Sequence, residues 1–330
     1  MGDSLLVGQL RRAGLSVEPV AVRVGATGRL RRAYPLTDLV EAAAARRALA
    51  AALDRHSVRA VVISTTTAAM LADTHDLPYA VRLDAPARVN RPGPRNAALH
   101  ALERRALARA RLVLPWSEAG RAALPAGHAP AVVVPPPIER SGELPRSRDQ
   151  LAVAYTPDVK AKGLDIVCGA WAATGIRDAR LEVFGVEREA ALAHLRRTGV
   201  AAPASVEFRG KAPPEQFRAA LRRARVYVGG ARWEDFGQAP LEALADGALV
   251  ATVPSGGPFE ALGLARELAP ELVADAVDPS TLATALRAAF ELPEQRVESY
   301  RREASQLLRR FDGEAIQRTI AAEVVPALLA

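Results

Sequence analysis

Two carboxylates eight residues apart, Glu234 and Glu242, are the residues of this chain best placed to do chemistry. They belong to the stretch RWEDFGQAPLEALADG, which follows an apolar run typical of a buried strand and turns through Phe-Gly into an amphipathic helix. The first N–H groups of a helix have no intrahelical partner, so a strand, a glycine turn and a helix start predict an anion site. An acid on each side of that site favours a ligand that is part phosphate and part polyol, such as a nucleotide sugar.

Two of the few lysines lie close together. The chain contains 41 Arg and only three Lys, and Lys160 and Lys162 both stand just before Gly163. In a chain that otherwise avoids lysine, this pair beside a glycine is a second candidate functional feature.

The order of these motifs resembles the GT-B retaining glycosyltransferases of the large E-x7-E family (glycosyltransferase family 4, group 1 type), which includes sucrose synthases and bacterial mannosyltransferases. EDFGQAPLEALADG matches the signature, and four further motifs follow the order of the family: Lys162-Gly163, VFG at 183–185, VEFRG at 206–210 and a Gly-Gly turn at 256–257. The resemblance covers the C-terminal half, whereas the N-terminal half matches in pattern only. It implies two Rossmann-like domains that face each other across a cleft.

The resemblance implies roles for three charged residues. Glu242 would accept hydrogen bonds from the ribose hydroxyls of the donor, and Glu234 would lie beside the hydroxyls and the reacting face of the donor sugar. Lys162 would neutralise the charge that builds on the leaving diphosphate. Without the resemblance, an N-cap and a first-turn acid, favoured by the helix dipole, would be the better explanation of the two glutamates.

The start of the signature helix is expected to bind the donor through its backbone. Its N–H groups would face the diphosphate and the sugar, and a glycine there permits close approach. The residues that the resemblance assigns to this role are Phe236, Gly237, Gln238 and Ala239.

The sequence departs from the family at the expected phosphate site. The family usually has an arginine five or six residues before the lysine, where this chain has Pro157 and Thr156. Lys160 could supply the second phosphate-binding cation instead, or it could be a solvated surface lysine. Arg232, just before the signature, could also face phosphate.

Asp84 is the candidate residue of the N-terminal half. It follows the predicted strand 79–83, at a position where the family often has a histidine. An aspartate at the carboxyl end of a parallel strand could hold a sugar hydroxyl or deprotonate an acceptor. It could equally be the Asx-turn residue that begins the proline-containing loop 84–96.

Strands alternate with helices along the whole chain, which predicts an α/β fold with parallel, doubly wound sheets. Residues 1–135 are assigned to an N-terminal acceptor-side domain and 136–149 to a proline-rich linker. Residues 150–310 form the predicted donor domain, and 311–330 a final helix expected to pack back toward the N-terminal domain.

The beginning of the chain departs from the usual pattern of such a domain. A buried strand and a glycine turn normally come first, whereas this chain goes directly into a predicted helix at 4–14, followed by a predicted strand at 17–24. Either the sheet lacks its first strand or the protein begins upstream, and the second interpretation is favoured. The last strand predicted for this domain covers 131–134.

Positive charge is concentrated in the first half of the chain. Residues 1–150 carry a net charge of +9, whereas 151–330 carry −2. A basic surface attracts anionic partners, so contact with an anionic membrane surface or an anionic acceptor is expected, although nucleotide bias toward Ala and Arg codons is an alternative explanation. Nucleic acid is not expected, because no aromatic residues interleave with the arginines.

Several classes of protein are excluded by what the sequence lacks. No apolar run approaches the roughly 18–20 residues that cross a bilayer, and the single Cys168 fits a reducing compartment, so we expect a cytoplasmic protein, peripheral on the inner face of the membrane. No Asp-x-Asp, Cys/His cluster, Walker A or dinucleotide fingerprint occurs. No metal and no cofactor is therefore expected beside the nucleoside-diphosphate sugar.

These features predict a retaining, metal-independent glycosyltransferase. It would move a hexose from a nucleoside-diphosphate sugar to a hydroxyl of a glycan, a lipid-linked or a small-molecule acceptor. The departures at the phosphate site leave an alternative, a catalytically impaired partner subunit or a sugar-nucleotide-binding protein. An epimerase or hydrolase of the same fold is a further alternative.

Overall fold

Two parallel β-sheets, one of three strands and one of five, form the frame of this computed structural model. Strands and helices alternate along the chain, because each parallel strand needs a crossover connection to the next. The prediction of an α/β fold with parallel sheets is confirmed. The structure describes residues 2–24, 36–145 and 147–330.

The chain divides into two units, each with one of the sheets. The N-terminal unit comprises Met1–Pro137 and Gly313–Ala330, and the C-terminal unit comprises Ile138–Asp312. The last helices of the chain therefore belong to the same unit as its first helix.

The sheet of the N-terminal unit has the order β1-β2-β3 with all strands parallel. Its strands are β1 (Val61–Ile63), β2 (Tyr79–Leu83) and β3 (Leu112–Pro115). The helices that precede or connect them are α1 (Gly2–Arg12), α2 (Leu36–Leu53), α3 (Thr66–Ala69), α4 (Ala87–Asn90), α5 (Ala97–Arg109) and α6 (Glu118–Ala122).

Hydroxyl residues after two of these strands begin the next helix. The Oγ1 of Thr65 accepts the N–H of Ala68 at the start of α3, and the Oγ of Ser117 accepts the N–H of Gly120 at the start of α6. Each cap satisfies a first-turn donor that has no intrahelical partner.

The strand predicted at 17–24 is wrong. Residues 15–24 form no hydrogen-bonded strand, and although Val17 packs partly buried against the core, Val20 and Val22 are exposed. An alternating pattern becomes a strand only where a neighbouring strand pairs with its backbone N–H and C=O groups. No described strand lies beside this segment.

The strand predicted at 131–134 is reduced to a single bridge. Ala131 pairs with Val113 of β3, and the N–H of Val134 donates to Pro115 O at 2.8 Å, but no continuous ladder forms. The segment therefore lies along β3 without completing a fourth strand in the described part of the unit.

The last part of the chain packs into the N-terminal unit. It consists of α14 (Gly313–Thr319), a π-helical turn (Ile320–Val324) and α15 (Val325–Leu329). A single face of this tail, with apolar residues at intervals of four, joins the core that α1 and the sheet form. The buried residues of this face are Ile316, Ile320, Val324 and Leu328.

The sheet of the C-terminal unit has the order β6-β5-β4-β7-β8, again all parallel. Its strands are β4 (Asp149–Tyr155), β5 (Arg180–Phe184), β6 (Val206–Gly210), β7 (Ala224–Gly229) and β8 (Leu249–Thr252). The helices between and after them are α7 (Leu164–Thr174), α8 (Arg188–Thr198), α9 (Pro214–Arg223), α10 (Gln238–Ala245), α11 (Glu260–Leu268), α12 (Pro279–Glu291) and α13 (Glu294–Leu307).

Helix α11 was not predicted from the sequence. It follows the Gly-Gly turn at 256–257 and buries Ala261, Leu264, Ala265 and Leu268. These positions have the i, i+3, i+4, i+7 spacing of an amphipathic helix, so the signal was present in the sequence.

Candidate functional site

The strand order reverses between β4 and β7, which are neighbours in the C-terminal sheet. From β4 the chain builds the sheet outward through β5 and β6, then returns to the other side of β4 for β7 and β8. The loops after β4 and β7 leave the same edge in opposite directions and open a crevice, the usual ligand site of such sheets. Lys162 lies in the first loop and Glu234 in the second.

Lys162 and Glu234 form an ion pair across this crevice. The Lys162 Nζ donates to both carboxylate oxygens of Glu234, at 2.8 Å each. The two side chains are 27% and 17% exposed, so the pair is shielded from water but not sealed. The structure thus brings together two predicted site residues that are 72 positions apart in the chain.

The two loops touch backbone to backbone behind the ion pair. Gly163 has a φ of +61°, and a Cβ at this position would overlap the carbonyl oxygen of Gly230. The N–H of Arg232 donates to Ala161 O at 2.9 Å, which ties the second loop to the first. Only glycine allows this approach, so the distance across the crevice is set by the backbone.

Arg232 ties the second loop to the first loop and to α7. Its Nη1 and Nη2 donate to the two oxygens of Asp165 at 2.9 and 2.6 Å, and Nη1 also donates to Lys160 O at 3.0 Å. Burial raises the pKa of Asp165, but the hydrogen bonds and the charge of Arg232 outweigh it and lower that pKa below its usual value. These bonds use three of the five guanidinium N–H groups, and a phosphate role for Arg232 stays a prediction.

The ion pair borders a small pocket that is open to solvent. Tyr155 and Tyr227 belong to its lining, and Pro240 and Phe259 contribute apolar surface. Among the described residues, Lys162 is the one cationic side chain of this lining. A ligand in the pocket would therefore meet a single basic group, aromatic rings and the carboxylate that the lysine holds.

A glycine turn starts α10, as the sequence predicted. Gly237 has a φ of +83°, and a Cβ there would lie 2.7 Å from Cδ2 of Phe259, so no other residue fits. The preceding Phe236 is buried and packs edge-on against Phe311, with ring centroids 6.0 Å apart. The amide groups of Phe236, Gly237, Gln238 and Ala239 lie at this end of the helix, where an anion would be stabilised.

Glu242 lies one turn into α10 and is largely buried. Its Oε1 accepts a hydrogen bond from Gln238 Nε2 at 2.9 Å, and its side chain is 13% exposed. Burial raises the pKa of Glu242, while the charge of Arg218 and the hydrogen bond from Gln238 act in the opposite direction. Burial alone would favour the neutral form of Glu242. Arg218 and Gln238 partly offset this effect and favour the ionised form.

Lys160 lies outside the pocket lining, and its side chain is exposed. Its N–H and that of Ala161 donate to Asp158 Oδ1 at 3.0 and 2.9 Å, so the segment forms an Asx turn. Thr156, at one of the positions where an arginine was expected, is buried beside β5 and donates its N–H to Phe184 O. Lys160 thus lies in a turn, and Thr156 lies in the core. A phosphate role for Lys160 stays a prediction.

Asp84 follows β2 in the N-terminal unit. Its Oδ1 accepts the N–H of the next residue, Ala85, at 2.7 Å, one position short of the contact that defines an Asx turn. A Cβ on Gly120 would lie 2.7 Å from Asp84 O, so the start of α6 packs directly on this backbone. An acceptor role for Asp84 stays a prediction.

Sequence analysis missed two charged residues that support the site, Arg218 and Asp246. They form an ion pair at 2.7 Å, and Asp246 is fully buried at the end of α10. The signal was an aspartate inside the apolar run ALADGALV, because a buried charge needs a partner. Nothing local in the sequence identified Arg218 as that partner among so many arginines.

Two kinds of feature are absent from the described ranges. No helix there combines the length and apolar character needed to span a bilayer. No group of three or more His, Cys, Asp or Glu side chains there has a geometry that could hold a metal ion.

The profile of a known family matches half of the chain. It is the family described as glycosyl transferases group 1, and it matches residues 138–306, which include the crevice, the pocket and α10. A search of curated proteins finds no match.

Solved structures share the fold at low sequence identity. Sucrose-phosphate synthase from Thermosynechococcus elongatus has a TM-score of 0.71 at 17% identity, with 93% of this chain and 84% of that chain covered. The Anabaena protein HepE, in complex with UDP and glucose, has a TM-score of 0.69 at 16% identity, with 97% and 89% covered. A UDP-forming trehalose-phosphate synthase from Burkholderia xenovorans has a TM-score of 0.67 at 14% identity, with 88% and 80% covered.

Proposed function

The chain belongs to the group 1 glycosyl transferases, and on that premise we propose that it moves a hexose from a nucleoside-diphosphate sugar to an acceptor hydroxyl. The observation that carries this proposal is the ion pair between Lys162 and Glu234 at the point where the strand order reverses. A cation for the diphosphate and a carboxylate for sugar hydroxyls meet there, next to a glycine-started helix.

The donor would bind in three parts. Its diphosphate would contact Lys162 and the first N–H groups of α10, where the helix dipole favours negative charge. Glu234, released from the lysine, would accept hydrogen bonds from the sugar hydroxyls. Glu242 would accept those of the ribose, because a charged acceptor forms strong hydrogen bonds with hydroxyl groups. Glu234 and Glu242 would then be the two acids of the E-x7-E signature of glycosyltransferase family 4.

We infer a retaining, front-face mechanism without a metal ion. The bond between the anomeric carbon and the leaving phosphate oxygen breaks, and its electron pair stays on the diphosphate. The acceptor oxygen bonds to the anomeric carbon on the same face and passes its proton to that phosphate oxygen. Lys162 and the α10 amides would stabilise the charge that develops on the diphosphate, so the stabilisation grows toward the transition state.

The named relatives suggest the first donor to test. HepE is described in complexes with UDP-glucose and with UDP and glucose, and the trehalose-phosphate synthases are described as UDP-forming. UDP-glucose is therefore the first probe. The acceptor class, glycan, lipid-linked or small molecule, and attachment of the basic N-terminal half to an anionic membrane surface remain part of the proposal.

Two substitutions test the donor site. Replacing Lys162 by Ala should lower the rate of sugar transfer or donor hydrolysis by about 10²–10³-fold, since one transition-state charge contact is lost. Replacing Glu242 by Ala should weaken UDP binding by about tenfold or more. Isothermal titration and product analysis with UDP-glucose measure both.

The matched controls for these variants are Arg302→Ala and Glu298→Ala, exposed charges on α13. They should leave binding and turnover unchanged. Wild-type binding and turnover in both site variants would show that the donor site lies elsewhere.

The phosphate site also supports a second candidate, a sugar-nucleotide-binding partner of an active enzyme. The pocket lining holds one cation, and that cation is already paired with Glu234. Stabilisation of the protein by UDP-glucose, without transfer or hydrolysis for any nucleoside-diphosphate sugar tried, would favour this candidate over the enzyme.

A further inference from the structure

A buried charge network surrounds Asp246 at the end of α10. Asp246 is 0% exposed, and its two oxygens accept three hydrogen bonds. They come from the N–H and the hydroxyl of Ser141, at 2.8 Å each, and from Arg218 Nε at 2.7 Å. These three bonds replace the hydrogen bonds to water that the carboxylate loses on burial.

Asp246 fixes the orientation of Arg218, which comes from α9. The Arg218 Nη2 donates to Glu139 O at 2.7 Å, in addition to the bond from Nε to Asp246. Because the guanidinium group is planar and rigid, these two bonds determine where the third nitrogen lies. That nitrogen, Nη1, is 3.8 Å from Oε1 of Glu242.

The described contacts of Glu242 go to one of its two oxygens. Gln238 Nε2 donates to Oε1 at 2.9 Å, and Arg218 Nη1 lies 3.8 Å from the same oxygen, whereas among the described residues no hydrogen bond to Oε2 is seen. The carboxylate is thus held at Oε1 by its two neighbours.

We propose that Arg218, anchored by Asp246, is a positioning residue that holds Glu242 ionised and oriented for the two ribose hydroxyls of the nucleotide. This inference rests on the proposed donor site, in which Glu242 binds the ribose. Arg218 touches no substrate in this scheme and acts only through Glu242.

The charged and titratable groups around Glu242 determine the sign of the expected pH effect. Arg218 from α9 favours the ionised form, and Asp246 on α10 disfavours it. Tyr227 on β7 stays neutral, because burial and then the charges of Glu234 and Glu242 raise its pKa. Removing Arg218 should raise the pKa of Glu242 further. As the pH falls, the variant should therefore lose ribose binding at a higher pH than the wild type does.

The experiment compares UDP with 2′,3′-dideoxy-UDP, which lacks both ribose hydroxyls. We expect Arg218→Gln to weaken UDP binding by about tenfold near neutral pH and by more toward about pH 5.5. Binding of dideoxy-UDP, already weak, should not change. Arg218→Lys keeps a charge near Glu242 and should follow the wild-type pH dependence with a smaller loss of affinity.

The matched control is Arg223→Gln on the same helix. Arg223 pairs with Asp149 and makes no hydrogen bond or ion pair with Glu242 or Asp246 among the described contacts, so UDP affinity and its pH dependence should stay unchanged. Titration calorimetry across the pH range measures all four proteins, and their unfolding curves show whether each is folded.

Three outcomes decide the question. A loss in Arg218→Gln that is equal for both nucleotides, or independent of pH, would mean that Arg218 only supports the fold, and it overturns the proposal. If Arg218→Gln does not fold, Arg218→Lys carries the test: a loss confined to UDP supports the proposal, whereas no loss or an equal loss overturns it. A wild-type protein that binds neither UDP nor UDP-glucose overturns the proposed function itself, and this inference with it.

Discussion

The two units use buried glutamates in opposite ways. In the N-terminal unit, Glu103 accepts the N–H of Ala87 with both oxygens, at 2.8 and 3.0 Å, and thereby anchors the loop after β2. In the C-terminal unit, the described contacts of Glu242 go to one oxygen, Oε1. Burial raises the pKa of both residues. The direction of a pKa shift therefore does not separate a structural carboxylate from a candidate ligand-binding one, and the pattern of contacts is the better guide.

The same contrast holds for the loops that follow the strands. Polar side chains hold the loop 84–96 of the N-terminal unit. Asp38 pairs with Arg91 at 2.9 Å, and Asn96 donates to Arg91 O at 3.1 Å. The crevice loops of the C-terminal unit are fastened to each other by glycine contacts, which leaves Glu234 and its lysine at the surface of a pocket.

The largest effect is expected where the crevice depends on backbone contact. Gly163→Ala should cost about 3 kcal/mol or more in the free energy of unfolding, because the new methyl group meets a backbone carbonyl that cannot move aside. Gly175→Ala, at the other end of α7, is the control: its φ is also positive, at +70°, but nothing lies within 4 Å of a Cβ, so about 1 kcal/mol is expected. Denaturant unfolding measures both. Equal costs would show that strain in φ alone, and not the loop contact, explains Gly163.

Exchanging the two glutamates for glutamine tests the contrast between the units directly. Glu103→Gln should cost about 1–3 kcal/mol of stability, because an amide nitrogen replaces one of the two oxygens that accept the N–H of Ala87. It should leave UDP affinity unchanged. Glu242→Gln should show the opposite result, with little change in stability and a weaker complex with UDP. Unfolding curves and calorimetry distinguish the two, and a loss of UDP affinity in Glu103→Gln would contradict the division of roles.

Glu103 also predicts a pH dependence of stability. A carboxyl group whose pKa is raised on folding contributes stability that is fully present below its unfolded pKa and is lost as the pH rises through its folded pKa. The contribution of Glu103 to the free energy of unfolding should therefore fall as the pH rises above about 4.5, and Glu103→Gln should remove that part of the slope. Identical slopes in both proteins would rule out a contribution of Glu103.

A smaller effect is expected from the ion pair in the crevice. Glu234→Gln should strengthen UDP binding by up to about tenfold, because Lys162 would no longer be neutralised, while sugar transfer from UDP-glucose should slow. In the background Lys162→Ala the gain in UDP affinity should disappear. Titration of the single and double variants checks this, and a gain that persists without the lysine would refute the explanation.

Local sequence patterns predicted one strand of the N-terminal unit well and another wrongly. Strand β2 was predicted at 79–83, the bounds it has in the structure, because a short apolar run between turn residues is read locally. The segment 17–24 carries a similar alternation but has no described neighbouring strand, so the same signal failed there. A strand depends on a partner, and the local sequence does not say whether one exists.

The sequence by itself determined the alternation of strands and helices and the glycine turn before α10. It also identified Glu234 and Glu242 as candidate site residues. The tertiary structure decided which of these residues meet. Lys162 reaches Glu234 only because β7 lies beside β4 in the sheet, and Arg218 reaches Glu242 only because Asp246 anchors it from the next helix. Contacts between residues so far apart in the chain depend on strand order and on helix packing. Local periodicity contains no information about either, because it records only which face of each element is apolar.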